Sequence, residues 1–190
     1  QTTVFAGHAL RYGNDSQTAR YLHALRLGGI DTRLLPGHPS CFQIPAGSMI
    51  IDVHTHLNNY HEERVRNIDA CLENLQEEMS ANGVDYALVL SSYKVTEHRP
   101  PTRAVVEATR DLPNIAVVAG VSIKNYRERD LREISDFLAE GLVKGLKLYP
   151  GYEPFYPYDA RCQVVYDMAM EYDVPVMIHT GDTYSPHGKV

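Results

Sequence analysis

No apolar run in this chain approaches the ~20 residues that a helix needs to cross a bilayer, so nothing in it reads as a membrane span. There is no basic cluster either: 18 Lys and Arg lie scattered among 24 Asp and Glu, for a net charge of -6. That balance excludes nucleic acid and anionic membrane as main partners. It leaves a small-molecule substrate, with a homo-oligomer as the expected association. Cys41, Cys71 and Cys162 form an odd, widely spaced set without metal-binding spacing, which fits reduced thiols in a cytoplasmic protein. The first residues, Gln1-Thr2-Thr3-Val4-Phe5, lack the charged-then-apolar layout of a secretory signal. Low-complexity tracts are absent, and a hydrophobic content of 44% is ample for a core.

What is present from Met49 onward is alternation. Strand-type runs are expected at Met49–Val53, Val84–Leu90, Ile115–Val121, Leu142–Tyr149 and Val174–His179, with starts 35, 31, 27 and 32 residues apart. They are apolar on both faces, as parallel strands covered on both sides are. Between them lie amphipathic stretches. Val65, Ile68, Leu72, Leu75 and Met79 form one stripe, with Asn59 and Glu62 as its capping box and Asn82-Gly83 as its stop. A shorter helix is expected at Thr102–Asp111. Leu131, Ile134 and Leu138 mark the next, stopped near Gly141, and Val164, Val165, Met168, Ala169 and Tyr172 the last. Repeated βα units of this length build a parallel sheet, either doubly wound or a (β/α)8 barrel. No Gly-rich phosphate fingerprint follows any strand, and polar residues gather at several strand ends, which favours the TIM-type barrel. Five of its eight strands are legible, so the chain reads as the first part of a barrel that continues past Val190.

Residues 1–48 read as an N-terminal extension of uncertain origin, set apart from a barrel segment at 49–190. Val4–Leu10, a Gly13-Asn14-Asp15-Ser16 turn, a helix through Tyr21–Leu27 and a run at Thr32–Leu35 make one βαβ-like unit. Pro36-Gly37-His38-Pro39 and Pro45-Ala46-Gly47-Ser48 read as linker. The unit loosely resembles the start of a nucleotide-sugar-dependent glycosyltransferase, without a sugar-nucleotide motif.

Chemistry concentrates in Asp52-Val53-His54-Thr55-His56, at the end of an apolar strand. Side chains two apart on a strand share a face, so His54 and His56 aim at one point. Neutral imidazole is a preferred ligand of zinc and related metals. His179 stands at the end of the fifth strand, and in an eight-membered ring the first and fifth strands face each other across the mouth. Two histidines from one wall and one from the other leave an open coordination position, as catalytic metal sites do. The same alternation puts Val143, Gly145, Lys147 and Tyr149 on one face of the fourth strand, with Lys147 toward the mouth. It also sets Asp52 on the face of His54 and His56, one layer deeper, where a carboxylate orients ligands. Tyr149 is the substrate-contact candidate, with Tyr93, Lys94, His98 and Tyr152 on neighbouring loops.

The run IDVHTH at 51–56, the stretch GLKLYPGYEPFYPYD at 145–159 and VPVMIHTGD at 174–182 together resemble the amidohydrolase superfamily. The similarity is greatest to its amidohydrolase-related branch, over about residues 49–190. By that resemblance His54, His56 and His179 are metal ligands. A further His after the sixth strand and an Asp at the eighth are expected in the superfamily and have no counterpart here; His187 lies too near His179. Some branches carbamylate a fourth-strand Lys to bridge two metals. Others keep one metal, and Lys147 would then act catalytically as a cation for a substrate carboxylate. The resemblance implies a metal-dependent hydrolase that uses a divalent metal, zinc foremost or manganese, to activate water against an amide, ester or lactone. The alternatives are a metal-dependent non-oxidative decarboxylase or hydratase of a carboxylic acid, and an inactive truncated fragment.

Overall fold

The computed structural model describes residues 49–59, 67–180 and 183 with their side chains, and the backbone of two strands at 3–7 and 23–25. In chain order the elements are β1 (Thr3–Gly7), β2 (His23–Leu25), β3 (Met49–Thr55) and α1 (Ile68–Asn82). These are followed by β4 (Tyr86–Leu90), α2 (Thr102–Thr109), β5 (Ile115–Gly120) and α3 (Glu128–Ala139). Last come β6 (Val143–Leu148), a 3-10 turn at Ala160–Cys162, α4 (Gln163–Glu171) and β7 (Val176–Ile178).

They form one sheet of order β2-β1-β3-β4-β5-β6-β7. Strands β3 to β7 are parallel, with a helical crossover between each successive pair. Five parallel strands joined by helices are the pattern of a partial (β/α)8 barrel, as the repeat spacing implies. Two features at the N-terminal side differ from expectation. Strand β1 pairs in parallel with β3, so residues of the extension prolong the barrel sheet. Residues 23–25, expected inside a helix, form a strand antiparallel to β1 with Phe5 opposite Leu25. Pairing with a neighbour satisfies their backbone groups and overrides local helical patterning. The Gly13–Ser16 turn and the Thr32–Leu35 run lie outside the described residues.

Local signals account for both ends of α1 and the start of α3. Asn67 caps α1, its Oδ1 accepting the Ala70 N–H at 2.8 Å. Gly83 stops it at φ 63°, its N–H bonding the carbonyls of Met79 and Ser80. The expected cap, Asn59, is engaged elsewhere: its Oδ1 lies 3.1 Å from His98 Nδ1, and its N–H donates to the His98 carbonyl at 3.3 Å. Glu62 and Val65 lie outside the described residues. Helix α3 opens with Asp130 Oδ2 accepting the Arg127 backbone N–H at 3.2 Å and turns Leu131, Ile134, Phe137 and Leu138 inward.

The core lies between the helices and one face of the sheet. Ala87 and Val89 of β4, Val117 and Ala119 of β5, and Leu146 and Leu148 of β6 pack there against Leu72, Val105, Ile134 and Val165. Each fully buried aliphatic side chain contributes roughly 1.5–3 kcal/mol. That layer holds the strands in register and leaves their opposite face to carry polar groups. Among the described residues no helix is long and apolar enough to cross a membrane.

Candidate active site

Residues paired across parallel strands project to the same side, so the register sorts the site residues. Leu90 pairs with Val118, Gly120 with Lys147, and Lys147 with Met177, all on the face turned away from the helices. His179 follows Met177 by two residues, and its N–H donates to the Leu148 carbonyl at 3.0 Å. On β3, Thr55 pairs with Val89 of the helix-facing layer, so His54 and His56, on either side of it, face the other way with Lys147. His54, His56, Lys147, Tyr149 and His179 thus share one face, at the C-terminal ends of β3, β6 and β7.

The two adjacent histidines are close, with ring centroids 5.2 Å apart and edge-on at 63°. His56 Nδ1 lies 2.8 Å from the carbonyl oxygen of Leu90. A carbonyl only accepts, so Nδ1 carries the proton, and in the neutral ring Nε2 carries the lone pair. A backbone carbonyl fixing one ring nitrogen is the arrangement that orients metal-binding histidines. Thr55 Oγ1 donates to the Leu88 carbonyl at 2.9 Å and ties the same strand end to β4.

Asp52 departs from the expected face. The register shifts by one residue between Asp52 and Thr55, and Asp52 pairs with Ala87 of the helix-facing layer. The extra residue breaks the alternation, so Asp52 does not share the face of His54 and His56. Its Oδ1 accepts the His54 backbone N–H at 3.0 Å, so it braces the bulge from which His54 projects. A second shift between Val117 and Val118 does the same on β6. Val143 pairs with Val117 in the core, while Gly145 pairs with Val118 on the site face.

Lys147 is 4% exposed, and no carboxylate among the described residues lies within ion-pair distance of it. Burial pushes its ammonium below the usual lysine pKa. Its Nζ stands 5.5 Å from the centroid of the Tyr149 ring. Tyr149 is itself held: its hydroxyl donates to the Ser91 carbonyl at 3.1 Å, and its ring lies 4.8 Å from that of Tyr93. Burial, ahead of smaller effects from neighbouring charges, raises the Tyr93 phenol. Ser91 Oγ accepts the Gly120 N–H at 3.0 Å and pairs with Thr102 Oγ1 at 2.8 Å. A Cβ at Gly120 would meet the Ser91 carbonyl oxygen, and the Tyr93 nitrogen at 2.8 Å, so only glycine lets these strand ends approach.

On the far side, the His179 ring meets that of Tyr152 edge-on, with centroids 4.9 Å apart. Among the described residues no three His, Cys, Asp or Glu side chains gather closely enough to hold a metal ion. Gly181, Asp182 and His187 lie outside the described residues. Sequence reasoning missed Glu153, which is 4% exposed and accepts bonds from Ser122 Oγ at 2.5 Å, Ile123 N–H at 2.9 Å and Lys124 N–H at 3.3 Å. Its only mark in the sequence is an acid within the apolar and aromatic run YEPFY just past a strand.

The family described as amidohydrolase matches residues 51–189. No curated protein matches the chain. Among solved structures, a probable 2-pyrone-4,6-dicarboxylic acid hydrolase from Acinetobacter baumannii, with citric acid bound, is similar at 14% identity and TM-score 0.47. The match covers 68% of this chain and 49% of that one, so the chain spans about half its length. The 3-keto-D-glucoside 4-epimerase of E. coli is similar at 12% identity and TM-score 0.38, over 74% of this chain and 60% of that one.

Proposed function

Because the chain belongs to the amidohydrolase family, we propose that it forms part of a metal-dependent hydrolase acting on an amide, ester or lactone. His54 and His56 would hold the cation, zinc in the first place and manganese as the other candidate, with His179 as a third ligand only if it closes in from its present place, since the three side chains do not gather closely enough to hold an ion. The observation that carries this reading is the His56 bond to Leu90, which turns Nε2 into the lone-pair nitrogen beside the His54 ring. When bound, such a cation polarises a carbonyl and lowers the pKa of water to near neutrality. The chain's own residues shape the surroundings: Asp52 braces the His54 backbone, and Tyr149 and Tyr93 form an aromatic wall beside Lys147.

The deciding experiment is a double substitution. His54→Ala with His56→Ala should abolish both zinc binding and hydrolysis; a double variant as active as the parent ends the proposal.

One observation favours a second reading. A buried ammonium with no anion beside it among the described residues suits a substrate carboxylate. Under that reading the same site serves a non-oxidative decarboxylase or hydratase of a carboxylic acid, with Lys147 holding the carboxylate. Product analysis separates the two: carbon dioxide release or a hydrated acid on one side, two hydrolysis products or an opened lactone on the other.

A further inference from the structure

A carboxylate that is nearly fully buried must be compensated by hydrogen bonds or by a cation. Among the described residues no Lys, Arg or His pairs with Glu153. Its compensation comes from the donors of one loop, the segment Ser122–Lys124 that follows β5. Two of the three donors are backbone N–H groups, which cannot reverse their polarity. The pocket is therefore built for an anion, and its partner loop belongs to a different βα unit.

The other end of Glu153 is equally fixed. Its N–H donates to the Tyr149 carbonyl at 3.1 Å, and its own carbonyl accepts from Gly151 at 3.1 Å and from Phe155 at 2.9 Å. Gly151 adopts φ 87°, so the turn is tight and left-handed at that point. Tyr152 lies inside this turn, with its ring edge-on to His179. A contact of that kind restricts rotation of the imidazole. The chain of contacts runs from the β5 loop, through the Glu153 carboxylate and the Tyr149–Phe155 turn, to the ring of His179.

We propose that Glu153 is a positioning residue: by clamping the turn after β6 to the loop after β5, it holds Tyr152 against His179 and so sets the orientation of that imidazole. Its relevance to catalysis rests on the reading of His179 as part of the metal centre, but the contact itself does not. Substitution by glutamine keeps the shape and removes the match. One end of the amide is a donor, and it must face a Ser122–Lys124 loop that offers donors.

The test is NMR of the full metal-free chain with its histidine ring signals assigned. Tyr152→Leu gives the His179 shift with the ring current removed. Glu153→Gln should move the His179 ring signals at least half of the way to that value and weaken the Tyr152–His179 cross-peak, with His54 and His56 unmoved. Ser122→Ala, which deletes one of the three bonds to Glu153 together with the Asn125 N–H bond to the same hydroxyl and leaves the Ile123 and Lys124 donors paired, should move His179 in the same direction by a smaller amount. Should Glu153→Gln fail to fold, the serine variant decides: a His179 shift supports the clamp and an unchanged signal overturns it. A wild-type His179 spectrum in Glu153→Gln also overturns it, as does an equal displacement of all three histidines, which marks general loosening. Because no cation is present, failed zinc binding would sink the hydrolase reading and leave this result standing.

Discussion

His56 is tied to Leu90, the last residue of β4, by a 2.8 Å contact from its Nδ1 to the backbone carbonyl oxygen. The tautomer is thereby set before any cation arrives. Nitrogen-detected NMR at a pH where the ring is neutral should find His56 protonated at Nδ1 and unprotonated at Nε2. A ring protonated mainly at Nε2 would contradict this geometry.

Lys147 should make stability depend on pH in a definite direction. Its folded pKa is lowered by burial, so at pH values below the free-lysine value of 10.5 the unfolded chain binds this proton more strongly than the native fold. The resulting deficit is fully present below the folded pKa and vanishes as pH rises toward the unfolded one. Lys147→Met should therefore be more stable than the parent at neutral pH, by about 1 kcal/mol or more. The gap should narrow toward pH 10. Urea unfolding at the two pH values measures it; a gap that is constant or widens argues against a buried, uncompensated ammonium.

Gly120 should not tolerate a methyl group. The Cβ of Gly120→Ala would press on the backbone of Ser91 and Tyr93, which cannot swing aside as a side-chain tip does. A loss of about 1–3 kcal/mol is expected in urea unfolding. A change within about 0.5 kcal/mol, the range of indifferent surface substitutions, would mean that the β4 and β5 ends approach less closely than described.

Asn67→Ala should cost about 1 kcal/mol through loss of the α1 cap. Thermal unfolding measures it, and a variant as stable as the parent would contradict the observed cap.

Periodicity was enough to locate β4, β5 and the helix-facing layer, because polarity there tracks the buried face directly. It was also enough to bring His54, His56, Lys147 and His179 to one side of the sheet. It failed at Asp52 and Val143, each next to a one-residue register shift. A bulge leaves no trace in a hydrophobic pattern, so counting by two carries side chains to the wrong face beyond it. The α1 cap was misread because Asn59 and Asn67 are equivalent in local chemistry. What distinguishes them is His98, a partner 39 residues away in sequence. Glu153 was illegible for the same reason: its three donors come from a loop about 30 residues earlier. Strand β2 was read as helix because its partner strand, β1, is a tertiary choice.

The most direct test of the account is calorimetric titration of zinc into this 190-residue chain and into its His54→Ala, His56→Ala and His179→Ala variants. One bound zinc is expected for the parent, with affinity at least about tenfold weaker in each variant, the loss that even an outer hydrogen-bond partner of a metal ligand can cause. A parent chain that takes up no zinc, or a His179→Ala variant that binds as tightly as the parent, would contradict the shared metal centre.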